Sequence, residues 1–352
     1  MRMSFGQGVY FQDDGAIEQL AARATDEGCK YAYIYTEGPG WAALDGRLEA
    51  ALSAAGVAYD VFFRGEEFPS YEGAAELAAG DCARRADVVI GAGGGRAIDT
   101  SKMIADALGK KLLLAPTCAA QCASFAQLAG VYKTDGARDG VMFIKIPILG
   151  TYVDMGVMRA APKRLLASGI ADAFTKLVEP YGAVLFGGEA TVRWETTIAL
   201  AGRSTRILLD RSAAALDGDE RALNDVLYAA ICLTGLLSSL GGDRPGPSLA
   251  HGINDAVHDL YTDLPRRCLH GENVSVGVLL SAHAYDIPGL PAGMLRDFFK
   301  NTLKTPTSWA ELGFGTSERD FERVLELLMR NFPPRALSHR DAVAGALRSV
   351  WN

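Results

Sequence analysis

Histidine is scarce in this 352-residue chain, at five copies, and cysteine is little commoner at six. The cysteines (29, 82, 118, 122, 232 and 268) include no CxxC pair, which fits a reducing, cytoplasmic setting better than a disulfide frame. Positive charge is not in excess. A formal charge of −7 offers no basic surface for a phosphate backbone, so nucleic acid is not an expected partner. The opening stretch MRMSFGQGVYFQDD has no apolar signal core, and no uninterrupted apolar run approaches membrane length, so no membrane partner is expected either. Repeats and low-complexity linkers are also missing. What remains is 49% apolar and 22% charged, the composition of a folded soluble protein, and the length suggests two domains.

The most informative stretch is Asp87–Lys102, DVVIGAGGGRAIDTSK. Val88-Val89-Ile90 reads as a buried strand and runs into Gly91-Ala92-Gly93-Gly94-Gly95. Ile98, Met103, Ile104 and Leu108 are then spaced for a helix that stops near Gly109. A strand, a glycine turn and a helix start together suit a pyrophosphate. Backbone without Cβ can approach the anion, and unpaired N–H groups and the helix dipole favour negative charge. The spacing is not GxGxxG, so the ordinary Rossmann fingerprint is not matched, and a tight turn of any α/β domain could carry the same glycines.

Strand-like and helix-like blocks alternate through the first half. Helical spacing covers 16–24, 44–55 and 71–86, and strands fall at 31–35, 58–63, 88–90 and 112–114. This alternation predicts a parallel sheet covered on both faces, with ligands beyond the carboxyl ends of its strands. The segment 131–153 reads as a hairpin finishing this domain. From Ala161 the pattern becomes long helices at 165–186, 190–216, 219–240, 248–261 and 271–285, with Pro162 suited to a first helical turn. The expected domains are therefore an α/β domain over 1–158 and an all-α domain over 159–352.

Asp172 sits mid-helix among Ile170, Ala173 and Phe174, where a carboxylate is costly unless paired or metal-bound. His251 opens SLAHGINDAV, and His270 lies in LHGENVSVG just before another helix. One carboxylate and two imidazoles suit Zn²⁺ or Fe²⁺, and three protein ligands leave a position for a substrate oxygen. From spacing alone, Asp172 could equally cap or salt-bridge. His258, two turns beyond His251 on the same face, is a rival ligand, and His283 and His339 read as structural or surface residues.

Taken together these segments resemble the glycerol-dehydrogenase branch of the iron-type (group III) alcohol dehydrogenase superfamily, over nearly the whole chain. GAGGGRAIDTSK is similar to that family's GGGKxxDxAK, with Arg96 in place of the usual lysine. LLLAPTCAAQCASFAQLAGVY resembles its strand and Pro-Thr loop. TYVDMGVMRAAPKRLLASGIADAF, LAHGIND and LHGENVSVG resemble the segments that carry its metal-binding aspartate and two histidines. The resemblance implies a dehydroquinate synthase-like fold and a metal in the cleft between the domains. It implies Asp172, His251 and His270 as ligands and catalytic centre, in preference to His258. Four-ligand iron members carry a further histidine where this chain has Lys176, so the three-ligand pattern, and zinc rather than iron, is implied.

By position, Gly94, Gly95 and Arg96 would face the phosphates of NAD, and Asp99 would anchor the glycine turn. Thr117, Leu128 and Tyr132 would line the nicotinamide half, and Glu37 would accept from the adenosine ribose. A carboxylate there repels a 2′-phosphate, which favours NAD(H) over NADP(H), although a solvated loop acid in TEGPG would look the same. Glycerol dehydrogenases place an aspartate where this chain has Cys122. The form PTCAAQCA is instead similar to the hydroxycarboxylate dehydrogenases, which reduce 2-oxo acids. Losing that carboxylate removes an acceptor for polyol hydroxyls and relieves repulsion of an anionic substrate. Cys122 could also be small apolar lining, or could form a thiol switch with Cys118. Arg244, in the loop before His251, is a candidate carboxylate partner or a surface residue.

The expected activity is reversible hydride transfer between NAD(H) and a small alcohol/carbonyl pair, in a homo-oligomer. His258 is one of several candidates for a general base. The alternatives are a glycerol or vicinal-diol dehydrogenase, a lyase like dehydroquinate synthase, and a non-catalytic dinucleotide-binding protein. Asp172 argues against the lyase, whose phosphate-binding lysine/arginine set and glutamate ligand are not evident here.

Overall fold

The computed structural model describes residues 6–63, 67–185, 188–240, 248–261, 268–330, 332 and 338–352. The chain divides into two units, Met1–Leu166 and Ala167–Asn352.

The first unit runs β1 (Val9–Asp13), α1 (Ala16–Asp26), β2 (Tyr31–Thr36), α2 (Gly38–Ala43), α3 (Arg47–Ala54) and β3 (Ala58–Phe63). It continues with α4 (Tyr71–Ala79), α5 (Asp81–Arg85), β4 (Val88–Gly93), α6 (Gly95–Leu108) and β5 (Lys111–Pro116). It closes with β6 (Leu128–Tyr132), β7 (Arg138–Phe143), β8 (Ile148–Asp154) and α7 (Met155–Ala160). Six strands form one parallel sheet in the order β1-β8-β5-β4-β2-β3, as the alternation predicts. One face buries Ile17, Leu20, Leu48 and Leu52 from α1 and α3, and the other buries Ala74, Ile98, Met103 and Ile104 from α4 and α6. All six residues of β4 are buried, which is why this strand reads as an unbroken apolar run.

Three expectations need correction. The hairpin is β6 paired antiparallel with β7, Leu128 opposite Phe143, and it ends there. β8 is a central strand, parallel to both β1 and β5, because alternation reports a strand but not its partner. The helix expected over 71–86 breaks at Gly80, whose extended backbone (ψ 143°) separates α4 from α5.

The second unit is helical among its described residues. α8 (Lys163–Ala173) crosses the division between the units. It is followed by α9 (Thr175–Leu185), α10 (Val192–Asp217), α11 (Glu220–Leu227), a π-helical turn (Tyr228–Leu233) and α12 (Thr234–Leu240). Then come α13 (Leu249–Leu260), α14 (His270–Ala284), α15 (Ala292–Asp297), α16 (Glu318–Arg330) and α17 (Arg340–Ser349). The single helix expected over 165–186 is two helices, separated at Phe174. By length and composition the span Glu220–Leu240 could cross a membrane, with mean hydropathy 1.5, although polar residues interrupt its apolar run. Most of it is buried, packed on α10, as the core helix of a helical domain is.

Two glycines set how closely the helices around α14 approach. A Cβ on Gly277 would collide with the Ala250 carbonyl of α13, and one on Gly271 would collide with the Ser168 carbonyl of α8. Gly271 N–H also donates to Ser168 Oγ at 3.0 Å. α14 is thereby held against α13 on one side and against α8 on the other.

Candidate metal and dinucleotide sites

In the helical unit the contacts of α14 bring together three side chains that are far apart in sequence. Ser248 caps α13, its Oγ accepting from His251 N–H at 3.0 Å, which places His251 in the first turn. Glu272 accepts from Leu269 N–H at 2.8 Å and starts α14 at His270. Asp172, 3% exposed, lies near the end of α8, with Oδ1 at 3.2 Å from His270 Nε2 and 3.6 Å from His251 Nε2. The imidazole centroids are 5.4 Å apart. One ligand atom from each of the three residues lies within 4.8 Å of the other two. His258 is outside this group, buried further along α13; His283 lies near the end of α14 and His339 just before α17.

The electrostatics are those of a cation site. Burial alone would raise the Asp172 pKa, but the two imidazoles hold it far below the carboxylate range. Burial would lower the His251 pKa, but the charge of Glu179 and hydrogen bonds donated to Asp172 and Glu179 raise it to about 10. A buried acid this strong beside so basic an imidazole takes either a proton or a metal ion between them. One carboxylate oxygen and two imidazole nitrogens form a donor set suited to Zn²⁺ or Fe²⁺.

Sequence reasoning missed Glu179. Its carboxylate, on α9, receives Nδ1 of His251 and the hydroxyl of Ser248. Burial works against its ionisation, yet the His251 charge and these bonds hold its pKa at about 2. Nothing in LVEP distinguishes this acid from others, since its partner lies 72 positions away.

In the α/β unit the glycine turn stands at the carboxyl end of β4. Gly93 has φ +139°, which L side chains rarely adopt, and its carbonyl accepts from Thr117 N–H at 3.0 Å. Glu37, between β2 and α2, accepts from Gly94 N–H at 3.0 Å through Oε1. A Cβ on Gly94 would stand 2.8 Å from that oxygen, and one on Gly95 would collide with the Gln121 side chain, which sequence reasoning did not single out. The expected ribose acid and the expected phosphate turn are therefore in contact.

Other expected residues lie differently. The Arg96 guanidinium sits over the Phe68 ring at 5.6 Å; that ring packs at a 36° tilt on Tyr132, centroids 4.8 Å apart, and Arg138 covers Tyr132 at 4.9 Å. Asp99 does not anchor the glycine turn. Its Oδ2 accepts from Gly130 N–H at 3.0 Å, and its Oδ1 accepts from the Lys102 ammonium at 3.1 Å. Lys102, fully buried, also donates to the carbonyls of Ala123 at 2.5 Å and Leu128 at 2.6 Å. Asp99 and Lys102 thus fasten α6 to the chain between Cys122 and β6. Thr117 and Cys122 are buried, the latter opening a short 3₁₀ turn over Ala123–Phe125. Arg244 lies outside the described residues.

The iron-containing alcohol dehydrogenase family model matches residues 8–147. A glycolaldehyde reductase of Halobacterium salinarum is 31% identical over 248 residues, covering 68% of this chain and 67% of its own. The chain belongs to the iron-containing alcohol dehydrogenase family. Hydroxycarboxylate dehydrogenase A of Escherichia coli is 29% identical over 344 residues, covering 94% of this chain and 91% of its own. Across three curated relatives at 30–33% identity, the halobacterial one included, the match spans 60–67% of their length. In fold the chain resembles a probable glycerol dehydrogenase from Sinorhizobium meliloti 1021, with TM-score 0.82 and 24% identity over 99% of both chains. The family implies NAD and a divalent metal.

Proposed function

We propose that this chain is a zinc-dependent NAD(H) oxidoreductase that interconverts a small alcohol and its carbonyl, with a 2-hydroxy acid/2-oxo acid pair as the substrate class. The observation that carries the reading is the convergence of Asp172, His251 and His270, from three helices, on one small volume. Zinc is favoured over iron because Lys176 stands where the four-ligand iron members have a histidine. When bound, the metal polarises the substrate oxygen and the nicotinamide carries the hydride.

The chain's own residues do the rest. Asp172 and the two Nε2 atoms hold the ion. The turn at Gly93–Gly95 admits the dinucleotide phosphates, and Glu37 beside it receives the ribose hydroxyls and rejects a 2′-phosphate. The α/β unit thus acts as the NAD domain and the helical unit as the metal domain. Arg96 supplies positive charge near the phosphates, Thr117, Leu128 and Tyr132 line the nicotinamide half, and Cys122 faces the substrate. The enzyme works in the cytoplasm as a homo-oligomer.

Asp172→Asn and His270→Ala should abolish turnover and metal retention while leaving NADH binding largely intact, read by metal analysis and NADH fluorescence. Lost NADH binding with the metal retained would contradict the assignment. A second reading, a glycerol or vicinal-diol dehydrogenase, is favoured by the relatives that bear the glycerol dehydrogenase name. A panel of diols, alcohols, ketones and 2-oxo acids followed by NADH absorbance separates the two.

A further inference from the structure

We infer that Glu179 is the positioning residue of the metal centre, acting through His251 from both ends of that residue. The inference rests on the metal reading above. An imidazole offers a metal one nitrogen, and the partner of the other nitrogen fixes both tautomer and ring angle. Here Nδ1 of His251 meets the Glu179 carboxylate, so the proton belongs on Nδ1 and the lone pair on Nε2, the nitrogen 3.6 Å from Asp172 Oδ1.

The same carboxylate oxygen takes the hydroxyl of Ser248, whose Oγ in turn accepts from His251 N–H at 3.0 Å. Ring and backbone of His251 are therefore tied, directly and through one hydroxyl, to a single atom of α9. Such a double tie determines both χ angles of His251 and the start of α13. Among the described residues His270 has no comparable arrangement on its ring; its Nε2 faces Asp172. Of the two histidines, His251 is the one whose geometry depends on a residue outside the ligand set.

The test uses the full chain stripped of metal and titrated with zinc against a fluorescent zinc chelator. Glu179→Ala should bind zinc about 10–100-fold more weakly than wild type. Glu179→Gln, which keeps an acceptor oxygen for Nδ1–H, should recover part of that loss. Ser248→Ala, which leaves the carboxylate but removes one of its donors, should lose less than Glu179→Ala. The visible spectrum of the cobalt-loaded protein should change in Glu179→Ala and remain close to wild type in Glu179→Gln. NADH binding should be the same in all four proteins, showing that the α/β unit is intact. If Glu179→Ala fails to fold, Ser248→Ala alone decides, and wild-type zinc affinity in it overturns the inference. Wild-type affinity in Glu179→Ala, or equal losses in the Ala and Gln variants, overturns it as well. A wild-type chain that binds neither zinc nor cobalt overturns the metal reading and the inference together.

Discussion

Asn273 Nδ2 donates to Asn254 Oδ1 at 3.2 Å, both side chains 1% exposed, each three residues beyond a histidine of the candidate metal centre. The pair joins α13 to α14 one turn below His251 and His270, and among the described residues Asn273 Oδ1 has no hydrogen-bond partner. A half-satisfied amide pair in a buried interface fixes helix register while adding little net stability. Asn254→Leu strands the Asn273 amide and should cost about 1–3 kcal/mol in urea unfolding. The double variant Asn254→Leu with Asn273→Leu should cost less than the sum of the single variants, a coupling that a double-mutant cycle measures directly.

Gly271 lies next to His270 and against the backbone of Ser168, four residues before Asp172. A methyl group there would lie 1.9 Å from the Ser168 carbonyl oxygen and 2.7 Å from its Oγ, so α8 and α14 must part. Gly271→Ala is therefore expected to lower metal content far more than a surface Gly→Ala such as Gly293→Ala, where nothing lies within 4 Å of the new Cβ. Metal analysis of the two purified variants, beside their melting temperatures, checks this.

At the end of β8, Asp154 is 1% exposed and is held by Arg47 through two hydrogen bonds of 2.8 Å, Nη1 to Oδ1 and Nη2 to Oδ2. Burial opposes its ionisation, but Arg47 and the Val157 N–H outweigh it and leave its pKa below the usual value. Because the folded value is depressed, the stabilisation is complete above the unfolded pKa of about 4 and is lost as pH falls through the folded one. Asp154→Asn should cost about 1–3 kcal/mol at pH 7, discounted because Arg47 is partly exposed, and less at pH 3. Urea midpoints at the two pH values test the sign.

Burial raises the Cys118 pKa to about 11 despite a backbone hydrogen bond that works the other way, and the Glu37 charge adds to the rise. The thiolate is the reactive form, so Cys118 should alkylate roughly a hundredfold more slowly than a free thiol of pKa about 8.5 at neutral pH. Mass spectrometry of iodoacetamide-treated protein reads the rate, and fast labelling would restore the thiol switch with Cys122.

On the proposed reading, Cys122 takes the place of the aspartate with which glycerol dehydrogenases receive polyol hydroxyls. Cys122→Asp should move kcat/KM toward vicinal diols and away from 2-oxo acids by about tenfold or more, the scale of a charge added beside an anionic substrate. An unchanged ratio would remove Cys122 from the specificity argument.

Much of this was legible in the sequence because the signals are local. The β-branched run before Gly91, the Gly109 stop and the apolar surroundings of Asp172 each need a dozen residues to read. Less local features were not legible. TEGPG can be read as a loop, yet Gly38–Ala43 is helical, since Pro39 suits a first turn and Gly40 admits the approach of Gly93. The place of β8 between β1 and β5 depends on pairing, which alternation does not encode. Glu179 becomes visible only once α9 and α13 are packed together.

The buried ammonium of Lys102 has a practical consequence for engineering. Three oxygens from Asp99, Ala123 and Leu128 share it, so the segment that carries Cys122 is wired to α6 by a charge inaccessible to water. Grafting the corresponding loop from a relative would therefore succeed as a cassette that brings its own aspartate and lysine, and would fail as a loop alone, because a recipient unable to present those carbonyls would strand a cation in its core.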